Sequence, residues 1–401
     1  MVEPELVASP QPLAPSRQTI YAVLPMGSAH GWGVCGKYLS RELARLADVR
    51  LVAEPFDLNT VGDELDFYDL LPLVATGAER ERLLAPAAVG APVLNYIPGK
   101  ELAPSLPNLR GTRNVGYTFF EENLLPAESI QNAARYFDIV ATGSSWCTDV
   151  LRSYGLERVE TVIQGVDTSI FRPAPNGKEL FRDRFVVFSG GKLEFRKGQD
   201  IVIQAFKAFQ QRHDDVLLVN AWNNPWDFSL ATMAVSTYIR FAPRAREHVA
   251  MVSQVLADNG IDLSRAIIIP ARPNAMMARV YQNSDVGLFP NRCEGGTNLV
   301  LMEYMACGRP AIASNSSGHK DVVNDSNALL VKTMGQVTMS DHGAPIAVWD
   351  DPSIDETIEQ LEWAYQHRPA LEALAEQAGR DMAHMTWKRS AADFYAMLTD
   401  E

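Results

Sequence analysis

Short apolar runs alternate with stretches of helical periodicity along most of the chain. The first run, TIYAVLPM (19–26), ends in a Gly-rich loop, GSAHGWGVCG. In KYLSRELARLA, Tyr38, Leu39, Leu43 and Leu46 then recur near the helical period and predict an amphipathic helix. VRLVAEPF follows as a second strand, which completes a β-loop-α-β unit. Further strands are predicted at APVLNYIP, RNVGYTFF, FDIVATGS and VETVIQGV, with a helix over SWCTDVLRSYG. Strands that alternate with helices imply a parallel sheet covered on both faces.

The alternation breaks at GVDTSIFRPAPNGKE (165–179), whose prolines and glycines read as a linker. It restarts at RFVVFSGG and continues through helix GQDIVIQAFKAFQQR, strand DVLLVNAW, a long helical region near 228–258 and strand RAIIIPA. Helix NAMMARVYQNS and strands DVGLFP, PAIAS and NALLVK follow, and the stretch from about 353 to 400 is helical. This predicts two successive Rossmann-like α/β domains rather than one large sheet. The expected division is a disordered leader at 1–18, a first domain at 19–170 and a second at 171–375, followed by helical residues at 376–401. Ligands of open parallel sheets bind at the carboxyl ends of strands, so the cleft between the domains is the expected site.

Composition narrows the function class. The 401 residues are 47% hydrophobic and 21% charged, as in a soluble globular protein, and 401 is too long for one ordinary core. A net charge of −13 argues against a general nucleic-acid binder. Cys35, Cys147, Cys293 and Cys307 show no metal-ligand spacing, which fits reduced, packed thiols in a cytoplasmic protein. The Pro-rich start lacks a signal-type apolar segment, and no apolar run is long enough to span a membrane. Peripheral membrane contact is not indicated, though nothing in the pattern forbids it, and oligomeric state is not readable.

Two stretches carry candidate chemistry. In FSGGKLEFRKGQD (188–200) a strand ends at Gly190-Gly191. Lys192, Arg196 and Lys197 surround a loop that leads into a helix. Three cations beside a helix N-terminus suit a diphosphate, although a basic loop taken alone is most often merely solvated. In NRCEGGTNLVLMEYMACGRPAIAS (291–314) two carboxylates, Glu294 and Glu303, bracket a Gly295-Gly296-Thr297-Asn298 turn and a helix start at about Leu299. The turn's amides favour an anion. Glu303, on an apolar helix face, needs a partner and could take a ribose diol. Glu294 could take hydroxyls of a second sugar, or simply cap the helix. Together these read as a site for a sugar nucleotide. Trp222 and Trp226, after a strand, suit either stacking on a ligand or the core.

GVDTSIFRP, GGKLEFRKG, DVGLFPNRCEGGTNLVLMEYMACGRPAIAS and MTWKRSAADFYAML, in this order, resemble the retaining glycosyltransferases of family 4. The resemblance runs from about residue 19 and is strongest over 163–332. It implies the GT-B fold, with 19–170 as the acceptor-side domain, 171–375 as the nucleotide-sugar-binding domain and a helix at 376–401 returning to the first. It also implies a nucleotide diphosphate sugar as co-substrate, an acceptor hydroxyl and no metal or other cofactor. It places Lys192 and Lys197 on the diphosphate, Glu303 on the ribose and Glu294 near the donor sugar. Gly31, Trp32 and Gly33 fall near donor phosphate and acceptor. Gly191, Arg196, Gly295, Gly296, Thr297, Asn298 and Leu299 complete the implied donor set, and Trp387 matches a late Trp on the returning helix. In SNSSGHKDVV, Ser317, Gly318 and His319 fall on a loop that closes near the donor.

The chain departs from that pattern in three places. Eight residues rather than seven separate the two glutamates. Lys192 stands where Arg is usual and offers only a point charge. A His common after the fourth strand is absent, and GYTFFEENLLP offers Glu121 and Glu122, which either orient an acceptor or form a solvated acidic loop. His30, in the first Gly-rich loop, is a further catalytic candidate. Competing readings are a sugar-nucleotide epimerase or phosphorylase-like enzyme and a non-catalytic binding or scaffold subunit. A nicotinamide dehydrogenase fits poorly, because the first loop lacks a clean GxGxxG followed by a ribose-binding acid.

Overall fold

The structure, a computed structural model, describes residues 17–224 and 226–400. The expected leader at 1–18 therefore lies, to residue 16, outside the described residues. The N-terminal sheet comprises β1 (Thr19–Val23), β2 (Asp48–Leu51), β3 (Val93–Tyr96), β4 (Asn114–Thr118), β5 (Ile139–Thr142) and β6 (Val159–Thr161). All pair in parallel, in the order β2-β1-β3-β4-β5-β6. The C-terminal sheet comprises β7 (Phe185–Gly191), β8 (Val216–Trp222), β9 (Ala266–Ile268), β10 (Val286–Phe289), β11 (Ala311–Ser314) and β12 (Leu329–Val331). It is also all parallel, in the order β9-β8-β7-β10-β11-β12. Strand order reverses between β7 and β10, which opens a crevice at their carboxyl ends. Lys192 leaves β7 there, and the loop to Glu294 leaves β10.

Continuous apolar strands such as Phe185–Phe188 are buried on both faces, as the helical cover requires. Helix α1 (Gly31–Leu46) starts inside the first Gly-rich loop, six residues before the stretch whose periodicity predicts it. Its glycines serve close packing. A Cβ at Gly36 would lie 1.9 Å from the Pro25 carbonyl oxygen, and one at Gly33 would lie 2.7 Å from Gly27 Cα. Helix α2 (Ser145–Ser153) follows β5, and α3 (Gln199–Gln210) follows the Lys197-Gly198 step. Gly198 has φ +70°, and a Cβ there would sit 2.1 Å from the Pro290 carbonyl oxygen, so only glycine closes this turn. Helix α4 (Leu299–Ala306) rises from the turn after β10.

The long helical region expected near 228–258 is two short turns, an irregular stretch and a helix only from His248 to Asp258. Pro243 cannot continue a helix. Side chains tie the chain down around it, with Gln204 Nε2 donating to Tyr238 O and Asn259 Nδ2 to Arg240 O. An element the periodicity reading omits is the antiparallel hairpin β13 (Met334–Asp341) and β14 (Ala344–Pro352). His342 and Gly343, both at positive φ, form its turn.

Helices α5 (Ile354–Gln366) and α6 (Arg368–His384) cover the C-terminal sheet, α6 against α4. Helix α7 (Trp387–Thr399) crosses to the N-terminal domain and packs on α1, placing Trp387, Ala391, Phe394 and Leu398 in its core. The crossing thus falls at Thr386–Trp387, and residue 376 lies inside α6. The linker after Gly165 runs beside it. Val166 N–H donates to Met385 O at 2.8 Å, and Val166 bridges Thr386. Two neighbouring segments therefore join the domains.

Candidate active site

The cleft between the domains has a volume of about 320 Å³. From the C-terminal domain, Gly191, Lys192, Arg196, Lys197, Glu294, Gly296, Asn298, Leu299 and Glu303 line it. From the N-terminal domain, His30, Gly31, Trp32 and Glu121 face them. Four residues of the expected set do not reach the cleft. Gly33 is turned toward Gly27 inside α1. Gly295 is packed against the Phe120 backbone. The Thr297 hydroxyl is buried and donates to Met302 Sδ at 3.0 Å. Glu122 pairs with Lys100 at 2.5 Å, away from Glu121.

The basic loop is not a free cationic patch. Lys197 Nζ lies 2.6 Å from Glu294 Oε1, and Asn291 Nδ2 donates to the same oxygen. Arg196 is partly buried and donates to Glu294 Oε2 at 3.1 Å and to Cys293 O at 3.3 Å. It also pairs with Glu194 at 2.7 Å and with Glu121 of the other domain at 3.2 Å. Arg196 is thus engaged by three carboxylates and ties the domains together. Lys192 is the more available cation. It is about 3.3 Å from Glu194, its side chain is 31% exposed, and its ammonium lies 4.9 Å from the Trp226 ring centre.

Burial pushes the Glu294 carboxyl up, but Lys197 and Arg196 outweigh this and hold it at about 2. Both its oxygens are occupied, so it is a fixed anion that orients Lys197. Burial draws the Lys197 ammonium below its usual range, and Glu294 opposes that. Glu303 differs. It sits on the buried face of α4, accepting from Asn274 Nδ2 at 3.0 Å and from the Tyr281 hydroxyl at 3.3 Å. Burial pushes its carboxyl up to about 8 against those hydrogen bonds. The Asn274 side-chain oxygen is buried without a partner among the described residues.

Asn298 caps α4 in the left-handed region, φ 62°, and turns the chain so that the helix start faces the crevice. The first amides of a helix have no intrahelical acceptor and favour an anion. The turn is buttressed from behind. Ser317 Oγ accepts from Glu294 N–H at 2.7 Å, Gly318 N–H donates to Glu294 O, and His319 Nε2 lies 3.1 Å from Asn298 Nδ2. Ser317, Gly318 and His319 are therefore supports rather than lining groups. Burial lowers the His319 imidazole to about 4, so it is neutral.

On the N-terminal side His30 caps α1, its Nδ1 accepting from Gly33 N–H at 3.1 Å. Burial and then Lys192 lower its pKa. The neutral ring therefore carries its proton on Nε2 and can donate a hydrogen bond, while its lone pair is already used. Trp226 meets His30 edge-on at 5.6 Å across the cleft, whereas Trp222 is core and donates to Ser189 Oγ.

Sequence reasoning did not single out Asn274, Tyr281, Arg272, Gln164 or Phe119, which also line the cleft. The available signal was position, since Arg272 and Asn274 follow β9 just as the chosen residues follow β7 and β10. It also did not single out Arg292. That buried guanidinium donates to both oxygens of Asp200, at 2.8 and 2.9 Å, and to Asp351 at 2.8 Å. It locks the Glu294 loop to α3 and to the hairpin. Among the described residues no group of three or more His, Cys, Asp or Glu side chains could hold a metal ion, and no helix is long and apolar enough to cross a membrane.

Residues 183–339 match the family model described as glycosyl transferases group 1. Among curated proteins the chain is 29% identical over 179 residues to a GDP-mannose-dependent alpha-(1-6)-phosphatidylinositol monomannoside mannosyltransferase of Mycolicibacterium smegmatis. That match covers 42% of this chain and 41% of that protein. It is 28% identical over 280 residues to a D-inositol 3-phosphate glycosyltransferase of Streptosporangium roseum, covering 64% of this chain and 54% of the other. The chain thus spans about two fifths to one half of the length of these relatives. The fold is similar to that of Anabaena HepE, solved in complex with UDP-glucose, with a TM-score of 0.68 at 14% identity over 96% of this chain and 100% of that one. It is also similar to a sucrose-phosphate synthase of Thermosynechococcus elongatus, with a TM-score of 0.65 at 14% identity over 95% and 98%. The two parallel-sheet domains facing a cleft are the GT-B arrangement of these neighbours.

Proposed function

We propose that the chain, whose residues 183–339 match the group 1 glycosyltransferase model and whose fold is similar to GT-B neighbours, transfers a sugar from a nucleotide diphosphate sugar to an acceptor hydroxyl, with retention and without a metal. One observation carries this reading. Lys192, Lys197, the start of α4 and Glu303 line one crevice, at the strand-order reversal of the C-terminal sheet.

In this mechanism the bond between the anomeric carbon and the diphosphate oxygen breaks, and negative charge grows on the leaving group. Lys197 and the amides that open α4 stabilise that charge from fixed positions, and Lys192 turns onto it. His30 adds an Nε2–H donor from the opposite wall. The acceptor oxygen bonds to the anomeric carbon on the face the diphosphate leaves, and its proton passes to a leaving phosphate oxygen. This same-face route needs no protein nucleophile. Glu294 is fully engaged, and Glu303 sits with Asn274 and Tyr281 where a ribose diol would be held. The domain contacts around the cleft would exclude water and limit donor hydrolysis.

The test is a thermal-shift panel of UDP-, GDP-, dTDP- and ADP-sugars, with and without Mg²⁺. A native-state ligand at a hundred times its Kd adds about 2.7 kcal/mol of stability. UDP- and GDP-sugars come first, given the ligand of HepE and the printed activity of the mannosyltransferase relative. Lys197→Ala and Glu303→Ala should each abolish the shift. A parent protein that no sugar nucleotide stabilises, or variants that respond like the parent, would overturn the assignment.

A further inference from the structure

The cleft's N-terminal wall follows β4, and the C-terminal domain grips it. Trp349 Nε1, on the β13–β14 hairpin, donates to Glu121 O at 2.7 Å. Asn123 exchanges side-chain hydrogen bonds with the Val348 backbone at 3.1 and 2.9 Å, and Leu124 N–H donates to Ile346 O at 3.1 Å. At its base the hairpin is fixed in turn. Asp351 accepts from Arg292 and from the Tyr238 hydroxyl, and Asp350 accepts from Ser316. The chain from 121 to 124 is thus held along its length by the opposite domain.

What this grip places is one carboxylate. Glu121 keeps one oxygen 3.2 Å from Arg196 Nη1, and its other oxygen has no protein hydrogen bond among the described residues. The side chain lines the cleft and is 29% exposed. Around it the wall is uncharged. Trp32 stacks on Phe119 at 3.8 Å, with Pro98 and His30 nearby in the lining. Among the described residues, no Lys or Arg of the N-terminal domain lines the cleft. The nearby Lys100 is neutralised by Glu122.

Resting on the glycosyl-transfer reading of this site, we propose that Glu121 positions the acceptor by accepting a hydrogen bond from its hydroxyls, and that the acceptor is an uncharged sugar or polyol. A phosphomonoester on that wall would meet a carboxylate whose neighbouring cation, Arg196, is already paired with Glu194 and Glu294 as well as with Glu121 itself. Glu121 gives a sugar hydroxyl the acceptor atom it needs, and the aromatic rings give its C–H face an apolar surface. The hairpin makes this arrangement exist only when the two domains are together, so the acceptor wall is completed by the donor domain.

The test uses the full chain and the sugar nucleotide that stabilises it. Transfer is measured to matched pairs, methyl mannoside, methyl glucoside and inositol against their monophosphates, and to a set of uncharged disaccharides. Product should come from uncharged acceptors, with the phosphorylated partners at least about tenfold worse in kcat/KM. Glu121→Gln should raise acceptor KM about tenfold while leaving donor-induced stabilisation within about threefold in Kd. Trp349→Phe should raise acceptor KM in the same direction with little change in donor Kd. A purely structural role for Glu121 would move Tm and both substrates together. A preferred phosphorylated acceptor, no product from any uncharged acceptor, an unchanged acceptor KM in Glu121→Gln, or loss of donor binding in that variant would each overturn the proposal. A parent protein that binds no sugar nucleotide would instead overturn the underlying functional reading.

Discussion

Replacing Glu303 by Gln removes a proton that the fold itself retains. The carboxyl is buried in the cleft wall and, among the described residues, has only Asn274 and Tyr281 as hydrogen-bond donors, and Lys37 lends it a weak favourable charge. Holding it at about 8 rather than at 4.5 corresponds to at most about 5 kcal/mol between its two protonation states. Because the folded value is raised, this stability is fully present below pH 4.5 and is lost as pH rises toward 8. In that window the native state binds more protons than the unfolded one. Gln imitates the protonated form and does not titrate. Urea unfolding of parent and variant at pH 5.5, 7.0 and 8.5, followed by circular dichroism, isolates the effect, since all other titrations cancel in the difference. The parent should lose up to about 3 kcal/mol relative to Glu303→Gln between the lowest and highest pH. A difference that stays constant across this range would mean that the carboxylate is already ionised in the folded protein, and would refute the desolvation argument.

Other consequences can be measured separately. Gly295→Ala introduces a Cβ 2.3 Å from the Phe120 carbonyl oxygen, so the domains should part. Transfer should fall by about tenfold or more and the radius of gyration should rise in small-angle scattering, with far-UV dichroism unchanged. Arg292→Met leaves Asp200 buried without its partner and should cost about 3–5 kcal/mol in urea unfolding. Arg292→Met with Asp200→Leu should recover most of that loss. Trp387→Ala empties a core position shared by α1 and α7 and should cost about 3–5 kcal/mol, read as a lower unfolding midpoint. Exhaustive dialysis against EDTA should change the transfer rate by less than about twofold, because the proposed charge stabilisation comes from lysines and amides rather than a Lewis acid.

The fold was readable because each domain repeats one local rule. Runs such as RFVVFSGG and DVLLVNAW are apolar throughout, short and bounded by turn residues, which is how strands buried on both faces look. The motifs that follow them carried the position of the crevice. The readings that failed share a different cause, since they depended on contacts distant in sequence. Nothing in GYTFFEENLLP separates Glu121 from Glu122. Their fates are decided by Arg196, 75 residues on, and by Lys100. Gly295 looked like part of a phosphate turn because its amide precedes a helix. Its place is fixed instead by Ser144 Oγ, which donates to its carbonyl at 2.6 Å from the other domain. The hairpin was not read from the periodicity, and its role rests on Asn123 and Leu124 in the opposite domain.

The cation loop shows why charge type at one position matters. Lys192, Arg196 and Lys197 are balanced by Glu194, Glu294 and Glu121, so the site is close to neutral before a ligand arrives. Arg196 and Lys197 cannot turn toward a diphosphate without stripping a buried carboxylate of its partner, a change that costs several kcal/mol. Lys192 can. Its only ion pair among the described residues, to Glu194, is the longest of the set, and Arg196 holds the same Glu194 oxygen at 2.7 Å. When Lys192 swings away, that carboxylate keeps its partner. A planar guanidinium in its place would be committed to one geometry, whereas an ammonium on a flexible stem can be re-aimed at a phosphate oxygen. On the proposed reading, the lysine at this position is therefore what allows a nearly neutral, pre-paired site to receive a doubly charged leaving group.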